Sequence, residues 1–549
     1  MNFLENILAE LEAAADTPVL QKRGHARGTV RVSGRELAQM VSRARAFLAK
    51  QGVKKGDRCA LLAHNSIRWI AMDLAIMAEG LIVVPLYARQ APAELVAMMK
   101  DCAPALICCG DGDLRDAIVQ NWSDAPPQHL FDIIFLNRKE PAPAPNLADS
   151  DPVTIIYTSG TSGEPKGVML TAANVAHMLQ CTSARLDQLM TGHRGQDRIF
   201  HYLPFCFAGS WIMLLTCLRR RSCLALNTDL NRLSRELHAA DPDYFLNVPA
   251  LLERMRKAVD EQLWQTGGLA LALYQHAKGA WIRKQEGQAK LGDGMRVALG
   301  RILVFPAIRK KMIGKNVRAL ICGSAPLKVE TQHYFMMLGI PVLQVYGLTE
   351  TTAICTMDDP DRVEPGRVGP AISEVEMKLG ENDEILVRGP NVFPGYWNRA
   401  EETAKALRDG WFHTGDQGEV DAEGNWRIAG RIKNLIILGS GHNVAPEPVE
   451  DAILQNLRGG EQVVVVGNGR GYLAAIVTGD LSERRVQTAL DAVNAGLPHY
   501  KQIRAFHIRR EPFTIENGLL TANGKLKREA IAAELRGEIE EMYQVRQAV

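Results

Sequence analysis

The sequence predicts an α/β protein with a large, multi-lobed N-terminal domain of mixed sheets and helices, followed by a small α+β C-terminal domain. Three observations carry that expectation. The chain has 549 residues, well beyond the roughly 100–200 of one ordinary domain, so several cores or one composite body must form. Short apolar, β-branched runs alternate with amphipathic helical patterns through the first part of the chain, the alternation that builds parallel α/β layers. Near Arg431 the composition changes and short strand-and-helix units resume, which sets the expected division at 1–431 and 432–549.

In chain order, residues 35–51 and 93–100 carry the apolar spacing of helices, and residues 58–64, 81–86, 105–109 and 133–136 read as short buried strands. The run Pro-Ala-Pro-Ala-Pro-Asn at 141–146 is a connector, either a subdomain boundary or a surface loop. Residues 251–313 differ in kind: long, helical and basic, they read as a helical insertion. Beyond Arg431, residues 435–438, 463–466 and 472–477 read as strands, and 448–457 and 527–545 as helices. Gly467, Gly469 and Gly471 hint at a dinucleotide fingerprint, but β-like residues follow where a helix is required, so a hairpin turn is expected.

Apolar residues at 46% and charged residues at 23% are the balance of a soluble globular protein. Lys plus Arg at 64 nearly cancels Asp plus Glu at 62, so no global field would draw the chain to nucleic acid or to an anionic membrane. The first ten residues alternate acids with apolar side chains and lack a basic leader, unlike a secretory signal, and the apolar stretch 69–86 is interrupted by Asp73 and Glu79. A cytoplasmic location is therefore expected. The basic and apolar stretch 299–311 admits peripheral contact with the inner face of a membrane, with a core helix bearing a solvated basic face as the alternative. The ten cysteines, from Cys59 to Cys355, include no C-x-x-C pair, so reduced, buried thiols are expected rather than a zinc ribbon or redox dithiol.

The strand-like run at 153–157 leads into Thr-Ser-Gly-Thr-Ser-Gly-Glu-Pro-Lys-Gly at 158–167. Its three glycines let backbone N–H groups approach an anion closely, the hydroxyls of Thr158, Ser159, Thr161 and Ser162 add donors, and Lys166 brings a positive charge to a polyphosphate. The Walker pattern is absent, and a solvated turn is the alternative for a run of this composition.

This string, with Tyr157 before it and Val168 after it, closely resembles the phosphate loop of the adenylate-forming superfamily, which comprises acyl-CoA synthetases, peptide-synthetase adenylation domains and luciferases. Further segments resemble the same family in its order, spanning residues 157–525: Ile-Cys-Gly-Ser-Ala-Pro at 321–326, Tyr-Gly-Leu-Thr-Glu-Thr at 346–351, Gly-Trp-Phe-His-Thr-Gly-Asp at 410–416, Gly-Arg-Ile-Lys at 430–433, and Leu-Thr-Ala-Asn-Gly-Lys at 520–525. The resemblance implies a mobile C-terminal domain turning about Lys433, and ATP, Mg²⁺ and coenzyme A as cofactors. It further implies that Lys525 reaches the substrate carboxylate and α-phosphate, that Glu350, with Thr158, holds Mg²⁺, and that Thr349 sits beside Glu350 in the catalytic set. Lys166 and the loop residues Thr158, Ser159, Gly160, Thr161, Ser162 and Gly163 would manage the pyrophosphate. Gly323, Ser324 and Ala325, with Gln344, Val345, Tyr346 and Gly347, would line the adenine slot. Asp416, assisted by Arg431, would hold the ribose, since an ionised carboxylate accepts two hydroxyl bonds at once. His201 and His413 are expected to be structural, because an already ionised acid needs no base.

The segment Tyr-Leu-Pro-Phe-Cys-Phe-Ala-Gly-Ser-Trp at 202–211 resembles the start of the family's acyl-pocket helix, with Phe207 where many members have histidine. The spacing of Trp211 resembles the gating tryptophan of some long-chain fatty acyl-CoA synthetases, with ordinary core packing as the alternative. This segment offers no acid for an α-ammonium group, and together with 248–253, the helical insertion and the turn at 438–446 it is similar to long-chain synthetases. The resemblance implies a medium- or long-chain fatty acid as substrate. Only 24 residues follow Lys525, so a diffusible thiol such as coenzyme A is the expected acceptor rather than a fused carrier domain. A ligase loading a separate acyl carrier protein, and a non-catalytic acyl- or nucleotide-binding homologue, are the alternatives; chain length and oligomeric state stay open.

Overall fold

The computed structural model describes residues 2–23, 28–137, 141–159, 165–285, 287–457, 459–521 and 524–544. It is a mixed α/β protein that divides into two compact units. The larger comprises residues 1–377, 387–412 and 420–427; the smaller comprises 378–386, 413–419 and 428–549. The smaller unit thus recruits two short segments from before Arg431, and with them Asp416.

The larger unit holds two extended sheets. One has six strands in the order Gln128–Leu130, Leu106–Cys109, Arg58–Leu62, Ile82–Leu86, Pro152–Ser159 and Pro165–Thr171, parallel up to the last pair, which is antiparallel. Ile82–Leu86 and Leu106–Cys109 are buried at every position, as parallel strands covered on both faces must be, and their continuous apolar runs follow from that. The second sheet has eight strands: Thr356–Met357, Val342–Tyr346, Ala319–Cys322, Tyr244–Asn247, Arg198–His201, Cys223–Leu226, Pro18–Arg23 and Thr29–Ser33.

The helix read at 35–51 spans Gly34–Leu48 and opens on a capping box in which Glu36 N–H donates to Ser33 Oγ and Ser33 N–H to Glu36 Oε2. The strand read at 133–136 is a correction: Phe131–Ile134 is a short helix. Phe131 and Ile134 are buried, whereas Ile133 and Leu136 are 55% and 71% exposed, a period near three rather than two. The region read as a helical insertion is four helices, Pro249–Thr266, Gly268–Gln285, Asp293–Leu303 and Phe305–Met312, the first two separated by Gly267 at φ +63°.

The smaller unit folds around Val463–Val466, Leu473–Thr478 and Ile503–Arg509, with the helices Pro446–Asn456 and Glu483–Asn494 on its core. The first two strands are antiparallel, so the glycines at 467–471 form a hairpin connection, not a nucleotide loop. The segment read as a single helix at 527–545 is two, Arg528–Glu534 and Arg536–Gln544, and the strand read at 435–438 shrinks to Ile436–Ile437. Arg528 grips the buried Glu450 with two 2.6 Å hydrogen bonds, while Val465 N–H donates to the same carboxylate at 2.7 Å. The ten cysteines carry no disulfide; all are buried except the half-buried Cys181.

Candidate functional site

The described ends of the anion-cradle string lie on two antiparallel strands. Pro152–Ser159 pairs with Pro165–Thr171 in the register Thr158↔Lys166 and Ser159↔Pro165, so Lys166 belongs to a strand rather than to the loop. Gly160, Thr161, Ser162 and Gly163 lie outside the described residues. Gly167 is required by close packing: a Cβ there would stand 2.7 Å from Ile155 Cγ2. Its carbonyl accepts from Trp397 N–H at 2.8 Å, and Met169 N–H donates to the Gly395 carbonyl at 3.2 Å, which lays the Gly395–Trp397 segment along the hairpin.

That segment supplies a residue that sequence reading missed. The Tyr396 hydroxyl donates to Glu350 Oε1 at 2.9 Å, and the Lys166 ammonium lies 5.4 Å from the centre of the Tyr396 ring. One side chain therefore touches both the lysine and the acid singled out from the sequence, which lie 184 residues apart. The Phe393 N–H holds the Glu350 carbonyl at 2.8 Å from the same segment. The only local signal for this was Phe-Pro-Gly-Tyr-Trp at 393–397, an aromatic cluster around a turn that reads equally well as core.

The second part of the site rises from neighbouring parallel strands. Ala319–Cys322 runs into Gly323, Ser324 and Ala325, and Val342–Tyr346 runs into Gly347 and the single 3₁₀ turn Thr349–Thr351 that carries Glu350. Both segments leave the carboxyl ends of their strands, the edge where open α/β sheets bind ligands. Gly323 faces Val345, since a Cβ would fall 2.7 Å from Val345 Cγ2. At Gly347 a Cβ would reach within 2.3 Å of the Ala353 carbonyl oxygen. Ser324 is exposed and held at φ +73°, a left-handed conformation unfavourable for a residue with a side chain.

Gln344, expected in the adenine slot, has its buried side-chain amide committed to the scaffold, donating to Gln332 Oε1 at 3.0 Å and to the Arg367 carbonyl at 2.8 Å. Its N–H donates to Asp358 at 2.7 Å. Burial pushes the Asp358 carboxyl up to about 8, partly offset by that bond. On a strand successive side chains alternate faces, so membership of a motif does not decide which of its side chains meets a ligand.

Asp416, Arg431, Lys433 and Lys525 belong to the smaller unit. Asp416 is buried on the strand Trp411–Val420, with Arg431 Nε 2.8 Å from its Oδ1. Thr414 Oγ1 accepts from Asp416 N–H at 3.0 Å, and the neighbouring His413 pairs with Glu384 at 2.8 Å. Lys433 lies in the turn Ile432–Asn434. Lys525 is exposed on a tight turn in which its N–H donates to Thr521 Oγ1 at 3.1 Å and its carbonyl accepts from Thr521 N–H at 2.8 Å.

In the acyl-pocket segment, half-buried Phe207 precedes the helix Ala208–Arg219, its ring 5.6 Å from that of Tyr87. Trp211 fits core packing: it is buried, and its indole N–H donates to Asp73 Oδ2 at 3.0 Å. The other Asp73 oxygen is buried without a hydrogen-bond partner, and burial raises that carboxyl to about 7. His201 is buried beside Phe205, with its Nε2 2.8 Å from the Leu203 carbonyl and 3.0 Å from Ser210 Oγ; burial lowers it to about 4, so it is a neutral structural group.

Magnesium accompanying a nucleotide usually takes one or two carboxylates together with the phosphates. Glu350, half-buried and held by Tyr396, fits that donor set. No group of three or more His, Cys, Asp or Glu side chains suited to a metal occurs among the described residues, and a metal shared with phosphates needs none.

Comparison with known proteins adds an independent line. A family model described as AMP-binding enzyme matches residues 10–397, and one described as AMP-binding enzyme C-terminal domain matches 433–547. The chain is 27% identical to long-chain-fatty-acid–CoA ligase FadD15 of Mycobacterium bovis, over 92% of this chain and 91% of that protein. It is 26% identical to the chloroplastic long-chain-fatty-acid–[acyl-carrier-protein] ligase AEE15 of Arabidopsis thaliana, over 90% of this chain and 80% of that one. Among solved structures, the fold is similar to o-succinylbenzoate coenzyme A synthetase from Bacillus subtilis in complex with AMP, with a TM-score of 0.73 at 21% identity over 95% of this chain and 97% of the other.

Proposed function

The chain belongs to the AMP-binding enzyme family, whose members here are adenylate-forming acyl-CoA and acyl-carrier-protein ligases, and from that premise we propose that it activates a medium- or long-chain fatty acid with ATP and passes the acyl group to coenzyme A. The observation that carries the adenylation reading is the juxtaposition of Lys166 and Glu350 on Tyr396, a cation and a carboxylate fixed at the mouth of a glycine-rich hairpin. The fatty acid is supported by the likeness to long-chain-fatty-acid ligases over nine-tenths of the chain, and by a pocket segment that offers Phe207 but no acid.

In the first half-reaction a carboxylate oxygen bonds to the α-phosphorus and the bond to pyrophosphate breaks. Two anions must meet, so charge neutralisation and alignment are what the protein has to supply. Lys166, with Thr158, Ser159 and the loop beyond them, steadies the departing phosphates; Lys525 serves the carboxylate and α-phosphate. Glu350, with Thr158, would hold magnesium, which supplies charge neutralisation on the phosphates when bound. Tyr346 and the Gly323–Ala325 turn accept the base, and Asp416 with Arg431 the ribose. In the second half-reaction the thiol sulfur attacks the acyl carbonyl and AMP leaves, with Lys433 as the hinge between the two.

A second reading is favoured by one observation: the chain is 26% identical to an acyl-carrier-protein ligase, against 27% to a coenzyme A ligase. Acid-dependent exchange of labelled pyrophosphate into ATP tests the common step. Exchange is expected with fatty acids, and its absence across short- to long-chain acids would overturn the proposal. Thioester formation with coenzyme A against a free carrier protein then separates the two acceptors.

A further inference from the structure

The helical insertion carries a surface that the proposed reaction does not use. Of the seventeen exposed large apolar side chains among the described residues, eight fall within 264–303. On the helix Asp293–Leu303 they form a stripe: Met295, Leu299 and Ile302 follow at i, i+4 and i+7, with Leu303 beside them. Met295 is 70%, Ile302 73% and Leu303 58% exposed.

The stripe cannot roll inward. The opposite face of the helix, Val297 and Gly300, is buried, and a Cβ on Gly300 would come within 2.6 Å of Ala277 Cβ on the preceding helix and 2.8 Å of the Phe305 ring. Packing against its neighbours therefore fixes which side faces out.

The charge around the stripe is one-sided. Residues 264–315 contain ten Lys and Arg against two Asp and Glu, whereas the whole chain is nearly balanced. Asp293 is buried and takes up Arg283 and Arg296, which removes the only acid on the helix from the surface. Arg301, stacked 5.6 Å from the Trp281 ring, and Lys310 and Lys311 on the next helix are exposed. An apolar ridge flanked by cations on a fixed helix is the pattern of a helix lying in a bilayer interface, its apolar face in the acyl boundary and its cations among anionic headgroups.

We infer that the helix Asp293–Leu303, with the basic end of Phe305–Met312, is a docking surface for an anionic lipid membrane. Charge complementarity selects this occupant: each basic side chain near an anionic surface strengthens binding by about fivefold, while a second copy of the same net-positive surface would be repelled. The inference goes beyond the proposed reaction and does not rest on it, because membrane binding is read without substrate.

The test is co-sedimentation of the full chain with vesicles of phosphatidylcholine alone or containing about a third of phosphatidylglycerol. The chain is expected to pellet with the anionic vesicles, to stay in solution with the zwitterionic ones, and to be released by salt. Leu299→Glu with Ile302→Glu, and separately Lys310→Glu with Lys311→Glu, should each weaken binding by at least about tenfold. Neither pair should change pyrophosphate exchange with a soluble acid or the melting temperature. Wild-type chain left in the supernatant with anionic vesicles overturns the inference, as do variants that pellet like the wild type. So does a wild-type dimer in light scattering that the Leu299→Glu, Ile302→Glu variant splits, since the stripe would then be an interface between copies.

Discussion

Replacing Tyr396 with Phe removes a single oxygen, the one that donates to Glu350 at 2.9 Å, and leaves the ring beneath Lys166 in place. A hydrogen bond to a charged acceptor is worth about 1.5–3 kcal/mol, and the half-buried setting puts this one near the lower end, so roughly a tenfold loss in acid-dependent pyrophosphate exchange is expected. Tyr396→Leu also removes the face on which the ammonium rests, a further ~0.5–1 kcal/mol, or about threefold more. The assay is exchange rate against the concentration of magnesium-ATP, with thermal melts to confirm that each variant is folded. A cycle with Glu350→Ala isolates the contact, because the hydroxyl then has no carboxylate to hold and the Phe substitution should become silent. Exchange by Tyr396→Phe within roughly twofold of the wild type, or an equal loss in the Glu350→Ala background, would refute the claim that Tyr396 positions Glu350.

Three further outcomes follow from named contacts. The Asp73 carboxyl ionises near 3.8 when free and near 7 in the fold, so the folded state keeps its proton over that window and stability falls as pH rises through it. Asp73→Asn keeps an acceptor for the Trp211 indole and should flatten that slope, gaining up to roughly 4 kcal/mol above pH 7 in urea unfolding; an unchanged slope would contradict the assignment. Arg528→Ala strands the buried Glu450 carboxylate and should destabilise the smaller unit by about 3–5 kcal/mol, whereas a loss under about 1 kcal/mol would mean that the pair is not a structural clamp. Lys525→Ala should abolish pyrophosphate exchange yet leave thiolysis of supplied acyl-AMP largely intact, and equal loss of both would remove Lys525 from the first half-reaction.

Much of the molecule was legible in one dimension because its information is local. The helix from Gly34 begins where Ser33 and Glu36 can close a capping box, and Ile82–Leu86 is a strand because a continuous apolar run opening on Ile-Val-Val suits a position buried on both faces. The short apolar run around Ile133 carried no such bias. Whether it pairs or coils is decided by which of its side chains find a core, and Phe131 and Ile134 do.

By itself the sequence determined the α/β class, the order of the elements, and a set of glycine, lysine and acidic residues whose spacing resembles one family, because backbone freedom, periodicity and charge are properties of neighbours along the chain. Only the tertiary structure decided what those residues meet. Tyr396 joins Lys166 to Glu350 because the Gly395–Trp397 segment lies along the hairpin, the Gln344 amide is spent on Gln332, and the indole of Trp211 is spent on an aspartate 138 residues away. The face of a strand or helix that a side chain shares with a distant segment is set by packing, and no pattern of nearest neighbours encodes it.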